Sequence, residues 1–448
     1  MLGFFEDVLW LLVLIGVMIN IHELGHFWAA RFFDVKVEAF SFGFGTRLFG
    51  FRRGETDYRF SILPIGGYVK MAGELAGDGN PTSGSAYVDD PRSLPAKPRW
   101  QRLIIAGAGP FMNIVLAVGV LTGLYMVKYQ KIADSDLQAI VGDVMPDSPA
   151  AKAGVQDGDR IVALEGKPNP TWEDIGLKEV TSAYRPMHIT VDRGGQRIDT
   201  VVTPVLNDRI GVGFAGWDER GQIQLGLIEP GYPAEKAGLK KGDLLMKVNG
   251  EPIHSQIKFQ EITKNSGGKA ITIEYQRNGE LHTATIEPIF AKLDGPPRWM
   301  IGVSPTQKLN LVTTHLSFPA ALNESVRQNE KGALLMFEFL KGVVQRRMST
   351  KNLTGPIGIA QLSGDAAREG PGAFFMLMSM VSLQLAIINM LPIPIMDGGV
   401  ILMLLVEMVM QRDLSLNVKE VVFKLGFVTI VALLAFAIYN DISKMIPG

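Results

Sequence analysis

The stretch Val8-Leu-Trp-Leu-Leu-Val-Leu-Ile-Gly-Val-Met-Ile-Asn20-Ile-His22-Glu23-Leu24-Gly25-His26-Phe-Trp-Ala-Ala30 decides how this chain is read. It is one long apolar helix pattern, interrupted only by Asn20, His22, Glu23 and His26. About 20 such residues cross the hydrocarbon core of a bilayer, so residues 8–30 read as a membrane span. A cleaved signal peptide would carry a basic first region and a small-residue cleavage site, and neither is present. Residues 104–127 and 372–395 are also free of charge and read as further spans, with 425–439 as a shorter fourth. Residues 399–410 are apolar but short and carry Glu407, which suits a partly buried or interfacial helix. The whole chain agrees with these runs. Its 448 residues are 47% hydrophobic and only 20% charged, with net charge −1. No polybasic block marks a nucleic-acid partner. The absence of cysteine excludes a disulfide scaffold, an iron–sulfur cluster, a thiol nucleophile and a thiolate-held zinc.

Lys/Arg asymmetry orients the spans. Residues 31–103 hold eleven Lys and Arg, and the short 396–424 connection holds Arg412, Lys419 and Lys424. Both read as cytoplasmic, which leaves the termini and the 128–371 block outside.

His22-Glu23-Leu24-Gly25-His26 has the spacing H-E-x-x-H. Residues i and i+4 share one helix face, so both imidazoles reach one metal, and Glu23 is placed to act as general base. Burying these groups in lipid is costly unless they are paired or metallated. Nitrogen and oxygen ligands with an open position favour zinc. A catalytic zinc wants a third protein ligand, and Asp397 is the candidate. It ends Asn389-Met-Leu-Pro-Ile-Pro-Ile-Met-Asp397-Gly398-Gly399, where two prolines stop the helix and two glycines permit close approach. Glu407 is the alternative ligand. Asn389 is a candidate donor to a substrate carbonyl or a developing oxyanion, or else a polar contact between helices.

Residues 128–310 are polar, Gly-rich and patterned as strands. Ser148-Pro-Ala-Ala-Lys-Ala-Gly154-Val-Gln-Asp-Gly-Asp159 matches Tyr232-Pro-Ala-Glu-Lys-Ala-Gly238-Leu-Lys-Lys-Gly-Asp243 at an offset of 84, and Arg193 and Arg277 keep that offset. This register means two copies of one domain. The copies resemble PDZ domains in a permuted form, in which the peptide-binding Gly loop comes last. That places Gly211 and Gly302 in the two loops.

H-E-x-x-H in the first span, N-x-x-P-x-P-x-x-D-G after the third and the tandem repeat between them resemble the site-2 protease family of intramembrane zinc metalloproteases. The usual Leu before Asp-Gly is Met396 here, a near-isosteric change. The resemblance implies Zn2+ on His22, His26 and Asp397, Glu23 as base and Asn389 as a substrate contact. It implies a membrane-associated β-element around Gly43, Gly45, Gly66, Gly67 and Tyr68 that pairs with an unwound substrate. Ala106–Asn113 opens the second span with small residues suited to packing on the first, residues 316–344 are amphipathic and suit the outer membrane surface, and residues 74–97 form a Gly/Pro/Ser-rich loop.

The expected fold is a multi-domain membrane protein: a four-span α-helical protease core, a membrane-associated β-element and two inserted periplasmic PDZ domains of α+β class. The expected divisions are 1–137, 138–218, 219–308, 309–371 and 372–448. The expected activity is zinc-dependent endoproteolysis of single-span membrane proteins in a bacterial inner membrane, with the active site near the cytoplasmic face. The resemblance implies an anti-sigma factor and signal-peptide remnants as substrates, the bilayer as partner, no nucleic acid, and a monomer. The rival from another class is a catalytically silent PDZ scaffold, which has no need of ionisable residues inside a span.

Overall fold

The structure, a computed structural model, describes residues 2–73, 90–133, 138–207, 211–292, 297–349 and 354–445. The loop expected at 74–97 therefore falls largely outside the described residues. The chain divides into two compact units. One comprises Met1–Tyr129, His315–Met336 and Leu353–Gly448, and the other Gln130–Thr314 and Phe337–Asn352.

In the first unit, four helices are long and apolar enough to cross a membrane: Gly3–Phe32, Arg99–Val127, Pro371–Asn389 and Leu416–Ser443, with mean hydropathy between 1.8 and 2.6. The third is shorter than the apolar run suggests. It ends at Asn389, and the Pro-rich segment after it forms a loop before the helix Asp397–Met410. The fourth is longer, because Leu416, Val418 and Val421 extend the helix across the polar gap at Lys419, Glu420 and Lys424. Leu14 and Met18 of the first helix pack on Phe374 and Met378 of the third. Ser379 and Ser382 donate hydrogen bonds to Ala117 O and Asn113 O of the second, at 2.9 and 2.8 Å. Such small polar side chains satisfy themselves on a neighbouring backbone where lipid offers no partner.

Residues 316–344 were expected at the membrane surface. Within this unit the helix that begins at Phe318 meets the second helix near Leu121, Thr122 and Tyr125 and leaves Phe318, Leu322, Val326 and Leu334 exposed. Ala321 meets Leu121 and Tyr125, Ser325 Oγ lies 2.8 Å from Thr122 Oγ1, and Ala333 and Met336 reach Ala117. Gly332 of the same helix faces Leu383 of the third span, 3.1 Å from where a Cβ would stand.

Strands Val37–Arg53 and Thr56–Met71 form a hairpin that folds back on itself. Ala39–Phe42 have partners on both sides, at 67–70 and at 57–60. The bends fall at Gly43, Gly45 and Gly66, all with positive φ. Phe44, Leu48, Phe49, Phe51, Phe60, Ile62 and Leu63 are exposed on this hairpin.

The second unit contains the repeat. In each copy a helix, Trp172–Thr181 or Gln256–Lys264, covers antiparallel strands around an apolar core. Ile175 and Phe259 fill equivalent places in the two cores. The Arg193–Asp159 pair at 2.7 Å recurs as Arg277–Asp243 at 2.7 Å, and each arginine also donates to a helix-ending carbonyl, Gly154 O or Gly238 O. One local solution is thus used twice.

Candidate metal centre

His22 and His26 are buried on one face of the first helix, four residues apart. Their Nε2 atoms lie 3.2 Å from each other. Asp397 Oδ2 is 3.1 Å from His22 Nε2, and Asp397 Oδ1 is 3.4 Å from His26 Nε2. These three residues form the group with one ligand atom each that fits a metal ion among the described residues. Zinc–ligand bonds of about 2.0–2.1 Å in a tetrahedron put neighbouring donors about 3.3–3.4 Å apart. The observed spacings match, so the donor set fits zinc.

Each ligand is held from behind. His26 Nδ1 sits 2.8 Å from Ile105 O of the second helix. His22 Nδ1 lies 3.3 Å from the side-chain amide of Asn113, which is fully buried. With His22 Nε2 facing the other ligands, its Nδ1 carries the proton and needs an acceptor. Turning the near-isosteric amide by 180° supplies Asn113 Oδ1, an atom otherwise buried without a partner.

Asp397 is presented by a tight loop. A Cβ on Gly398 would lie within 2.2 Å of Leu391 O, and one on Gly399 within 2.4 Å of Ile393 O. Ile395 has φ +83°, a strained value for a β-branched residue. Asp397 is the first residue of the helix Asp397–Met410, whose N-cap is Met396. Close approach also governs the second helix. A Cβ on Gly109 would fall 2.3 Å from His26 Nε2, and one on Gly25 would fall 2.3 Å from Ala108 O.

Glu23 points to the hairpin, where its Oε2 accepts a hydrogen bond from Val69 N at 3.1 Å. Gly67 lies beside it, since a Cβ there would be 3.5 Å from Glu23 Cγ. Gly66, Gly67 and Tyr68 therefore sit on the strand next to Glu23, and Tyr68 stacks on Phe44 between Gly43 and Gly45. Asn389 is half-buried at the end of its helix, eight residues before Asp397.

Glu407 is not among the metal ligands. It is fully buried, accepts from Arg102 Nη2 at 2.6 Å and from Leu414 N at 2.9 Å, and pairs with Lys419 Nζ at 2.8 Å. Nothing in the sequence placed Arg102 and Lys419 beside it. Asp441 is a second residue the sequence did not mark. It accepts from Gly355, Ile357 and Gly358 N–H groups at 2.9–3.0 Å and so caps the helix Pro356–Glu369.

Gly211 and Gly302 are not equivalent in the repeat. Gly302 O accepts from Glu229 N and Ile301 O from Ala234 N. In the first copy the same bonds are made by Gly216 O with Met145 N and by Ala215 O with Ala150 N. The counterpart of Gly302 is therefore Gly216. The two Ile-Gly-Val triplets are thus not equivalent, because the first copy writes the loop as Phe214-Ala-Gly-Trp217.

The sequence pattern described as Peptidase family M50 matches residues 10–433. The regulator of sigma-E protease RseP of Escherichia coli is 30% identical, covering 99% of this chain and all of its own. The regulator of sigma E protease of Salmonella typhimurium is 29% identical over 98% of this chain and all of its own. A Neisseria meningitidis chain named provisionally as a zinc metalloprotease is 30% identical over 96% of this chain and 97% of its own.

Proposed function

The chain belongs to peptidase family M50, and from that membership we propose that it cleaves single-span membrane proteins within or near their membrane helix. The family makes it a membrane-embedded zinc metalloprotease. The observation that carries the finer reading is the apposition, in one unit, of the His22–His26–Asp397 donor set, Glu23 and the strand Thr56–Met71.

His22, His26 and Asp397 hold the metal. Zinc bound there supplies Lewis acidity, which polarises a carbonyl and lowers the pKa of a water to about 7. Glu23 accepts that water's proton and passes it to the leaving amine. Asn389 donates to the substrate carbonyl from beside the Asp397 loop. A helical substrate must unwind before it is cut, and its freed backbone groups need partners that lipid lacks. The strand edge at Gly66, Gly67 and Tyr68 supplies them by strand addition. The Arg/Lys-rich segments around this site support a position near the cytoplasmic face of a bacterial inner membrane, with the repeat on the other side.

The two repeat copies are read as PDZ domains on the strength of their shared helix-over-sheet design and closing Gly loop. A sigma-factor regulator is the substrate class suggested by the relatives' names. Signal-peptide remnants are the second class, and the chain acts as a monomer.

The test uses purified full-length protein in detergent and a single-span substrate without its outer domain. Wild type is expected to cut it and to stop on chelation. Glu23→Gln is expected to lose cleavage by a factor of about 10² or more while keeping its zinc. Cleavage surviving in Glu23→Gln would remove Glu23 as base, and a zinc-free wild type would remove the mechanism.

A further inference from the structure

The two repeat copies differ at one place that matters for ligands. In the first, Glu179 on the helix Trp172–Thr181 reaches the closing loop. Its Oε1 accepts from Ala215 N at 2.6 Å and its Oε2 accepts from Trp217 Nε1 at 2.7 Å. Ala215 and Gly216 occupy the places of Ile301 and Gly302, as their shared backbone partners show. A loop of this kind captures a peptide's terminal carboxylate through its backbone N–H groups. In the first copy a carboxylate is already there, and it belongs to the chain.

The second copy lacks that side chain. At the repeat offset of 84 the counterpart of Glu179 is Thr263. Its hydroxyl donates to Phe259 O of its own helix at 2.9 Å. Among the described residues, the Ile301 N–H meets no acceptor. The two loops are thus alike in backbone and opposite in occupancy.

We propose that Glu179 acts as an internal surrogate for a peptide's C-terminal carboxylate, closing the first copy to such ligands and leaving the second copy open. This rests on the PDZ reading of the repeat. A carboxylate held on the same domain has no association entropy to overcome, so it outcompetes a free peptide of ordinary affinity. The seat is desolvated, since burial pushes the Glu179 carboxyl above its ordinary range against the two hydrogen bonds it accepts.

The test uses the full-length protein in detergent and a fluorescein-labelled heptapeptide ending in valine, with a free C-terminus or as the amide. Anisotropy gives the affinity, and hydrogen exchange locates the protected loop. Wild type is expected to bind the free acid at least tenfold better than the amide, with protection at 301–303 only. Glu179→Thr is expected to add a second carboxylate-dependent site with protection at 215–217. Thr263→Glu is expected to lose the protection at 301–303, and it reports independently should Glu179→Thr fold poorly. Peptide protection at 215–217 in wild type, or no new site in a folded Glu179→Thr whose second copy still binds, would overturn the proposal and leave the PDZ reading standing. No carboxylate-dependent binding in any variant would overturn the PDZ reading, and this proposal with it.

Discussion

At the scale of single residues, the centre depends on groups that never touch the substrate. With its amide turned, Asn113 accepts from the Nδ1–H of His22 as Ile105 O accepts from that of His26. Loss of such a partner costs metal affinity about 10–100-fold. Asn113→Leu keeps the volume and removes the acceptor, so zinc is expected to leave 10–100-fold more readily in a chelator-competition titration. Asn113→Asp keeps an acceptor and is expected to retain most of the affinity. Equal zinc retention in Leu and wild type would show Asn113 to be mere packing. The sequence made His22, Glu23 and His26 legible because i and i+4 on a helix is a local relation. It could not show Asn113 behind His22, because the two are 91 residues apart and meet only through helix packing.

At the scale of elements, the second helix is shaped by the first. Gly109 is the position where backbone must pass the two imidazoles, with His22 Nε2 2.7 Å and His26 Nε2 2.3 Å from where a Cβ would stand. Gly107 lies in the same helix and has nothing within 4 Å of that point. Gly109→Ala is therefore expected to abolish both bound zinc and cleavage. Gly107→Ala should leave both intact and, by helix propensity alone, stabilise by up to about 1 kcal/mol. Metal analysis and cleavage of the two variants side by side decide it. A Gly109→Ala protein with full zinc would mean the helices can separate without cost. The small residues of Ala106–Asn113 marked close packing in the sequence, but which glycine faces the metal depends on the rotation of the helix about its axis.

At the scale of the molecule's first unit, three distant segments are joined by one buried charge cluster. Glu407 is inaccessible and satisfied by Arg102, Lys419 and Leu414 N, and Arg99 and Asp413 add a pair at 3.0 Å. This ties the start of the second span and the start of the last helix to the helix that carries Asp397. Removing one partner leaves charge buried without compensation, typically about 3–5 kcal/mol. Glu407→Ala is expected to lower the detergent unfolding midpoint strongly while the folded fraction keeps its zinc. Loss of zinc from folded Glu407→Ala, with zinc kept in Asp397→Ala, would restore Glu407 as the ligand.

Legible in the sequence were the long apolar helices, the repeat at an offset of 84, the H-E-x-x-H face and the Pro/Gly-bounded segment that carries Asp397. Each of these is written in local spacing: helical periodicity, a fixed offset, or prolines and glycines that constrain the backbone where they stand. Packing between distant segments brought the Asp397 carboxylate within 3.1–3.4 Å of both imidazoles, tied Glu407 into the fold instead of the metal, and made Gly216 the partner of Gly302. It also decided that Glu179 fills a loop Thr263 leaves open. These are contacts between segments far apart in the chain. Local propensity does not encode the rotation and register with which packed helices and strands meet.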